Sequence, residues 1–402
     1  MSQKVTMSET HSTTTLPFSL EEYRNRINTV RESMSERSLD ALLVTAPENI
    51  CYLSGFTTTG YHVFQAMVVP LEAQPFMILR DIELDNVALH SWLTQAFPLA
   101  SLDRPEETLV EVLSTHLPAG SVIGYDDATT WLPPRVLSKL ISNPRIKSLV
   151  PDDGIVESAR AVKSSQELKY IRQAAEIADS ALRSGVEAMT LLQTDSDVAG
   201  RIHLELASLG SGFTGSPPYV VSGAASAASH ATHNRRPLSR QDSVWLEIPA
   251  SVERYHACVS RTVYPEDFRN PVAIAAFEAS SLALEAMLAE ARTGVTAGQV
   301  DAAGRNLVKE MGFGETWKNR AAYSIGLSFP PGLGEGHIID IKPGDERILQ
   351  EGMVFHLIPI LKIEGVGAVG CTETMVVGKD RSHSLSSLPR NLMSPSGDGT
   401  KY

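Results

Sequence analysis

Apolar residues recur along this chain in two rhythms, and the rhythm depends on position. From Leu20 to Arg37 they return every three or four residues, which predicts an amphipathic helix. Short unbroken apolar runs follow at 41–45, 66–70, 76–80 and 121–125, each of strand length. Strands interleaved with helices predict an α/β layer over residues 16–155. A second segment starts sharply. Ser164 and Glu167 have capping-box spacing, and Leu168, Ile171, Ala175, Ala178 and Leu182 then recur at helical intervals. Another helix is predicted over 271–292, with Pro271 in its first turn and Gly294 past its end, and a third ends near Gly312. Strand signals cover 243–248, 255–264, 353–361 and 372–377. Helices grouped around antiparallel strands predict an α+β domain over residues 160–380. The Ser/Thr-rich residues 1–15 and the tail 381–402 are predicted to be disordered.

Composition narrows the function classes. A net charge of -12 and a pI near 5.4 leave no basic face for nucleic acid or an anionic membrane. No window approaches the ~18 consecutive apolar residues of a transmembrane span. The three cysteines, Cys51, Cys258 and Cys371, form no CxxC pair, and the polar first residues have no signal-peptide core. These features predict a reduced, cytoplasmic protein. The Gly332–Gly336 stretch lacks the Lys-Ser/Thr ending of a phosphate loop.

Two residues stand out as candidate chemistry. Glu247 interrupts the apolar strand run Val244–Pro249, and a buried charge there needs a partner or a purpose. Alternation alone leaves open whether it faces the core or solvent. His230 lies in a Ser/Ala-rich loop, where a solvated imidazole is the plain alternative, and His233 is its nearest rival.

The order of elements resembles the creatinase/prolidase/methionine aminopeptidase superfamily. The resemblance rests on Asn49–Phe56, Val162–Ser164 leading into the helix, Ser222-Gly223 with His230, Ser260–Val263, Ser324–Ser328, Glu351–Phe355 and Glu373. It implies an α/β creatinase-type N-terminal domain followed by an α+β pita-bread C-terminal domain. Metal-dependent members hold two divalent ions with two Asp, one His and two Glu. Those positions are placed here on Glu247, Cys258, Tyr323, Ile358 and Glu373. Tyr and Ile cannot replace an imidazole and a carboxylate, so no metal and no cofactor are expected. A single ion recruiting His230, His233 or His256 is the less favoured alternative.

Leu16–Ser19, Tyr323–Gly326, Phe329–Pro331 and Gly334–His337 resemble one creatinase-like subgroup, the ectoine hydrolases, which open the cyclic amidine of ectoine. A carboxylate suits an amidinium because it pairs with two N–H groups, as it does with Arg. Glu247 is therefore the expected nucleophile or base, and Glu373 the orienting carboxylate. By resemblance His230 is the proton shuttle, since imidazoles as a class give and take protons near neutrality. Arg261 is a candidate fork for the substrate carboxylate, with a structural ion pair equally open. Tyr255, Tyr323, Glu335 and His337 are candidate pocket residues against core packing or solvation. Relatives dimerise with one N-terminal domain over the partner's site. A homodimer is thus implied, with Tyr52, Phe56 and Tyr61 as candidate contacts in trans. A metal-dependent Xaa-Pro peptidase and a catalytically inactive binding protein are the competing readings.

Overall fold

The computed structural model describes residues 5–6, 16–127, 129–189, 194–239, 242–265, 270–395 and 397–398. Its contacts divide the chain into two units, Met1–Arg160 and Ala161–Tyr402.

The first unit is built on a seven-stranded mixed sheet. Its strands are β1 (Val5–Thr6), β2 (Ala41–Val44), β3 (Ala66–Pro70), β4 (Phe76–Leu79), β5 (Gln95–Pro98), β6 (Ser121–Tyr125) and β7 (Ile146–Pro151), in the order β1-β5-β4-β3-β2-β6-β7. Ala41, Leu43, Val68, Phe76, Ile78 and Ile123 pack with Leu109, Val112, Val136 and Leu140 of the helices Pro105–His116 and Pro134–Ile141. Leu42, Val44, Met67, Val69, Met77 and Leu79, of the opposite parity, are equally buried. Both faces are covered, which is why these strands read as unbroken apolar runs rather than alternating ones. The helix Leu20–Glu36 forms where its periodicity placed it, capped by Ser19, whose hydroxyl accepts from the Glu22 amide.

The second unit has a ten-stranded sheet. Its strands begin with β8 (Tyr219–Ser222), β9 (Val244–Val252), β10 (Tyr255–Val263), β11 (Ala322–Ser324), β12 (Asp340–Ile341) and β13 (Val354–Leu357). A separate ribbon of β14 (Leu361–Ile363) and β15 (Gly367–Val369) follows, then β16 (Cys371–Val376), β17 (His383–Ser384), β18 (Met393–Ser394) and β19 (Gly397–Asp398). The main path is β12-β11-β13-β16-β10-β18-β19, with β9 and β8 continuing from β10 and β17 on β16. The helix Ser165–Glu187 opens with the capping box of Ser164 and Glu167.

The helix Pro271–Glu290 is long and apolar enough to cross a membrane by length and composition alone. It packs instead into this unit's core: Phe277, Leu284 and Met287 join Phe355, Leu357, Cys371 and Met375 of β13 and β16.

Both termini differ from the expectation of disorder. Val5–Thr6 pairs with β5, while residues 1–4 and 7–15 lie outside the described residues. In the tail, β17 pairs with β16, Met393 pairs with Val263, and Leu388 is buried. The tail is held mainly by backbone groups, which its Ser-rich composition does not reveal. The Ser387 amide donates to Asp179 at 2.6 Å, and the Leu388 and Pro389 carbonyls accept from Arg261 at 3.2 and 3.0 Å.

Candidate active site

The β9–β10 hairpin sets the site. It turns through Glu253 and Arg254, both with positive φ, the backbone that a two-residue hairpin turn demands. That turn fixes the register: Glu247 lies opposite Ser260, and Pro249 opposite Cys258. Tyr219 of β8 pairs with Glu247, Thr372 of β16 with Ser260, and His356 of β13 with both Thr374 and Tyr323. Side chains alternate faces along a strand and match across a pair. One face therefore presents Tyr219, Glu247, Cys258, Tyr323, His356 and Thr372. The other carries Tyr255, Arg261, Leu357, Cys371 and Glu373.

The first face borders a cavity of about 430 Å³. Glu247 is half-buried on its wall, and its Oε2 accepts from the Trp245 indole at 3.2 Å. Burial pushes this carboxyl above its usual range, and the indole bond offsets only part of the rise. His230 stands exposed at the rim with φ 61°, its ring 6.2 Å from that of Tyr219. Tyr323 forms another wall; burial raises its phenol well above the ordinary value, and Cys258 and Glu247 add to the rise. Two cations complete the lining. Lys362 donates to Ser229 Oγ at 3.0 Å, and the Arg320 guanidinium sits 4.7 Å over the Tyr323 ring while binding Asp340 at 3.0 Å. Nothing local in the sequence marks a cation on a loop, as Arg320 is, or on a short strand, as Lys362 is, as facing a cavity.

Of the residues expected at the site, His230, Glu247 and Tyr323 are brought together; the others are placed elsewhere. Glu373 is fully buried on the opposite face, bound by Arg261 at 2.6 Å and Arg390 at 2.8 Å. It cannot orient a substrate in this cavity. The position facing the cavity side belongs to its neighbour Thr372, whose hydroxyl donates to Ser260 Oγ at 2.7 Å. Thr372, not Glu373, therefore shares the face of Glu247, because one residue along a strand reverses the face. Arg261 is also corrected: its guanidinium is spent on Glu373 and on the carbonyls of Ser260, Thr372, Leu388 and Pro389.

Tyr255 is a core residue on that same face, donating to Glu167 at 2.9 Å. Glu335 is buried against Lys163 at 2.8 Å, and His337 is exposed on its loop outside the cavity lining. Tyr52 is buried in its own unit, with Arg26 4.2 Å over its ring and its hydroxyl donating to the Ala159 carbonyl at 3.2 Å. Phe56 is likewise core, at 1% exposure, too enclosed to touch a partner. Tyr61 is half-buried, edge-on to Trp131 at 5.7 Å.

Beneath Glu247 lie Cys258 and His356, and the ligand atoms of all three fall within 4.8 Å of one another. His356 is fully buried and neither ring nitrogen makes a hydrogen bond of normal geometry. Burial drives its pKa down to about 3. His256, the alternative ligand by sequence, is instead used structurally: its Nε2 accepts from the Gly215 amide at 2.9 Å.

Residues 169–379 match the metallopeptidase family M24, and residues 26–162 match the creatinase/prolidase N-terminal domain. The chain belongs to the M24 family. It is 27% identical over 399 residues to the ectoine hydrolase of Halomonas elongata, covering 94% of this chain and 98% of that protein. It is 24% identical to an Xaa-Pro dipeptidase of Pyrococcus horikoshii, over 92% and 98% of the two chains. The solved prolidase from Pyrococcus horikoshii superposes with a TM-score of 0.80 at 23% identity, over 92% of this chain and all of that one. That of Thermococcus sibiricus does so at 0.82 and 22%, over 92% and 99% of the two chains. The architecture is thus a creatinase-type N-terminal domain followed by a pita-bread domain.

The M24 site implied by resemblance is a pair of hard divalent ions in an oxygen-rich cage. The donor set here does not fit it. Glu247, Cys258, Tyr323, Ile358 and Thr372 stand on the cavity-side face, and among them only Glu247 is a carboxylate.

Proposed function

We propose that this chain is a metal-independent hydrolase that opens the cyclic amidine of ectoine to N-acetyl-L-2,4-diaminobutyrate. The observation that carries this reading is the charge arrangement of the cavity. One carboxylate, Glu247, lies on the wall, with the cations Lys362 and Arg320 elsewhere in the lining. Ectoine is a zwitterion with a delocalised amidinium and one carboxylate, and this arrangement complements both ends. A cavity of about 430 Å³ is also of the size that small ligands occupy. The similarity to an ectoine hydrolase along nearly the whole chain points the same way.

In the proposed reaction Glu247 pairs with the amidinium and either activates a water or attacks the amidine carbon itself. The first route forms the new C–O bond from water; the second forms an ester-like intermediate that water then cleaves. Collapse of the tetrahedral centre breaks one ring C–N bond, and the departing nitrogen takes a proton through His230. The products retain an acetamido group and a free amine. His230 is exposed at the rim, where it can exchange protons with solvent between turnovers. The raised pKa of Glu247 falls as the cationic amidinium arrives, because an adjacent positive charge favours the carboxylate. Substrate thereby prepares its own base. The three cysteines are buried and none is in a disulfide, in keeping with the reduced cytoplasm as the compartment.

The peptidase reading requires hard-ion chemistry that the donor set does not support. The test is incubation of the purified protein with ectoine, followed by NMR of the acetylated product. Glu247→Gln and His230→Ala are each expected to lower kcat by at least a hundredfold with the fold intact. Near-normal turnover in either variant removes that residue from its role, and no product from the wild type removes the function.

A further inference from the structure

We propose that Glu247, Cys258 and His356 form a binding site for one thiophilic divalent cation of the zinc class, and that occupancy takes Glu247 out of the hydrolytic reaction. The three side chains come from β9, β10 and β13 and share one face, and their ligand atoms lie within 4.8 Å of one another. A tetrahedral ion bound at about 2.0–2.3 Å separates its ligands by roughly 3.4–3.7 Å, so the donors need draw in by only about 1 Å.

His356 is the observation that points to a ligand. An imidazole with no exposed surface ordinarily has its nitrogens hydrogen-bonded, yet neither makes a bond of normal geometry here, and the backbone group that acts on the ring is that of Cys258 itself. Its ring lies 5.4 Å from that of Tyr323, on the cavity side of the sheet. It remains neutral at ordinary pH, so a lone pair is available. Cys258 is held for the purpose at its backbone: its amide donates to Thr374 Oγ1 at 3.0 Å, and its carbonyl accepts from that hydroxyl at 2.9 Å.

The donor chemistry selects the ion. One thiolate, one imidazole and one carboxylate suit zinc, whereas magnesium, calcium and manganese prefer oxygen. A thiolate and a carboxylate also balance a divalent charge, so the buried site is neutral when filled. Binding displaces the proton of the Cys258 thiol, because a coordinating sulfur is a thiolate. This differs from the paired hard ions of the M24 site in ion, in number and in its use of His356. Glu247 forms the cavity-side ligand and leaves the fourth position facing the cavity. The binding claim stands independently of the proposed reaction; only the inhibitory consequence rests on it.

The experiment titrates the full-length, metal-stripped protein with Co(II), then with Zn(II) in competition. One cobalt per chain is expected, with thiolate-to-cobalt charge-transfer absorption and tetrahedral visible bands that zinc abolishes. Cys258→Ser should eliminate the charge-transfer band, and His356→Ala should weaken binding at least tenfold. Circular dichroism establishes that each variant is folded; if His356→Ala is not, the wild type and Cys258→Ser decide the matter. Absence of the band, or its survival in Cys258→Ser, overturns the site. In the kinetic arm zinc should inhibit ectoine opening and a chelator should restore it; stimulation by zinc overturns the consequence. A cobalt signature without any hydrolysis leaves the site standing and removes only the proposed reaction. Hydrolysis without a signature does the reverse.

Discussion

At the scale of single residues, the sequence marked Glu247 and His230 because each is chemically out of place in its surroundings. A carboxylate within an apolar run is legible without any neighbour. Lys362 was not, because a cation on a short ribbon looks like any solvated lysine until β14 and β15 turn it toward the cavity. Its place in the proposed reaction is testable. If Lys362 holds the substrate carboxylate in ground state and transition state alike, Lys362→Ala raises KM for ectoine roughly tenfold with little change in kcat. Steady-state kinetics distinguish this from a role in the chemical step, in which kcat would fall instead.

At the scale of elements, strand phase decided which acids can act. Glu247 and Glu373 both sit in apolar strand sequence, and alternation gives two possible faces for each. Only the register of β9 on β10 on β16 shows that they point to opposite sides of the sheet. Glu373 has become the anchor of the tail: Arg390 binds it, and its partner Arg261 also holds the Leu388 and Pro389 carbonyls. Removing one partner from a buried charge network leaves the others uncompensated. Glu373→Gln should therefore cost about 3–5 kcal/mol of stability, measured as a lower denaturant midpoint of the second unit. A substrate-orienting role would instead lower turnover at unchanged stability. Composition concealed this contact, because the tail binds through main-chain carbonyls and short hydroxyls rather than through an apolar face.

At the scale of the whole molecule, acidity has a specific consequence for stability. In the first unit, burial raises the carboxyls of Asp126 and Asp152 to about 7. Asp126 accepts from the Thr45 and Ala46 amides and the Thr45 hydroxyl, whereas Oδ2 of Asp152 has no partner. A carboxyl whose folded pKa is raised binds a proton that the unfolded chain has released. Its stabilisation is complete below about pH 4 and is lost as pH rises to about 7. This unit should therefore weaken across that window. Asp152→Asn should raise its unfolding midpoint near pH 8 and leave it nearly unchanged near pH 4. A midpoint shift of equal size at both pH values would rule out titration as the cause.

The sequence by itself determined the elements and the fold family. Helical and strand periodicities, the capping box at Ser164 and the proline at the start of Pro271–Glu290 are local signals, and local physics reads them directly. It also determined that hard metal ligands are missing, because no folding can make Tyr323 an imidazole or Ile358 a carboxylate. Tertiary structure decided what is assembled in their place. The phase of each strand follows from pairing partners that lie far away in sequence, as Ser260 pairs with Thr372 and Val263 with Met393, and a one-residue slip exchanges the faces. That pairing put Thr372 rather than Glu373 on the cavity side, docked a tail whose composition suggested disorder, and brought Cys258 and His356 together beneath Glu247.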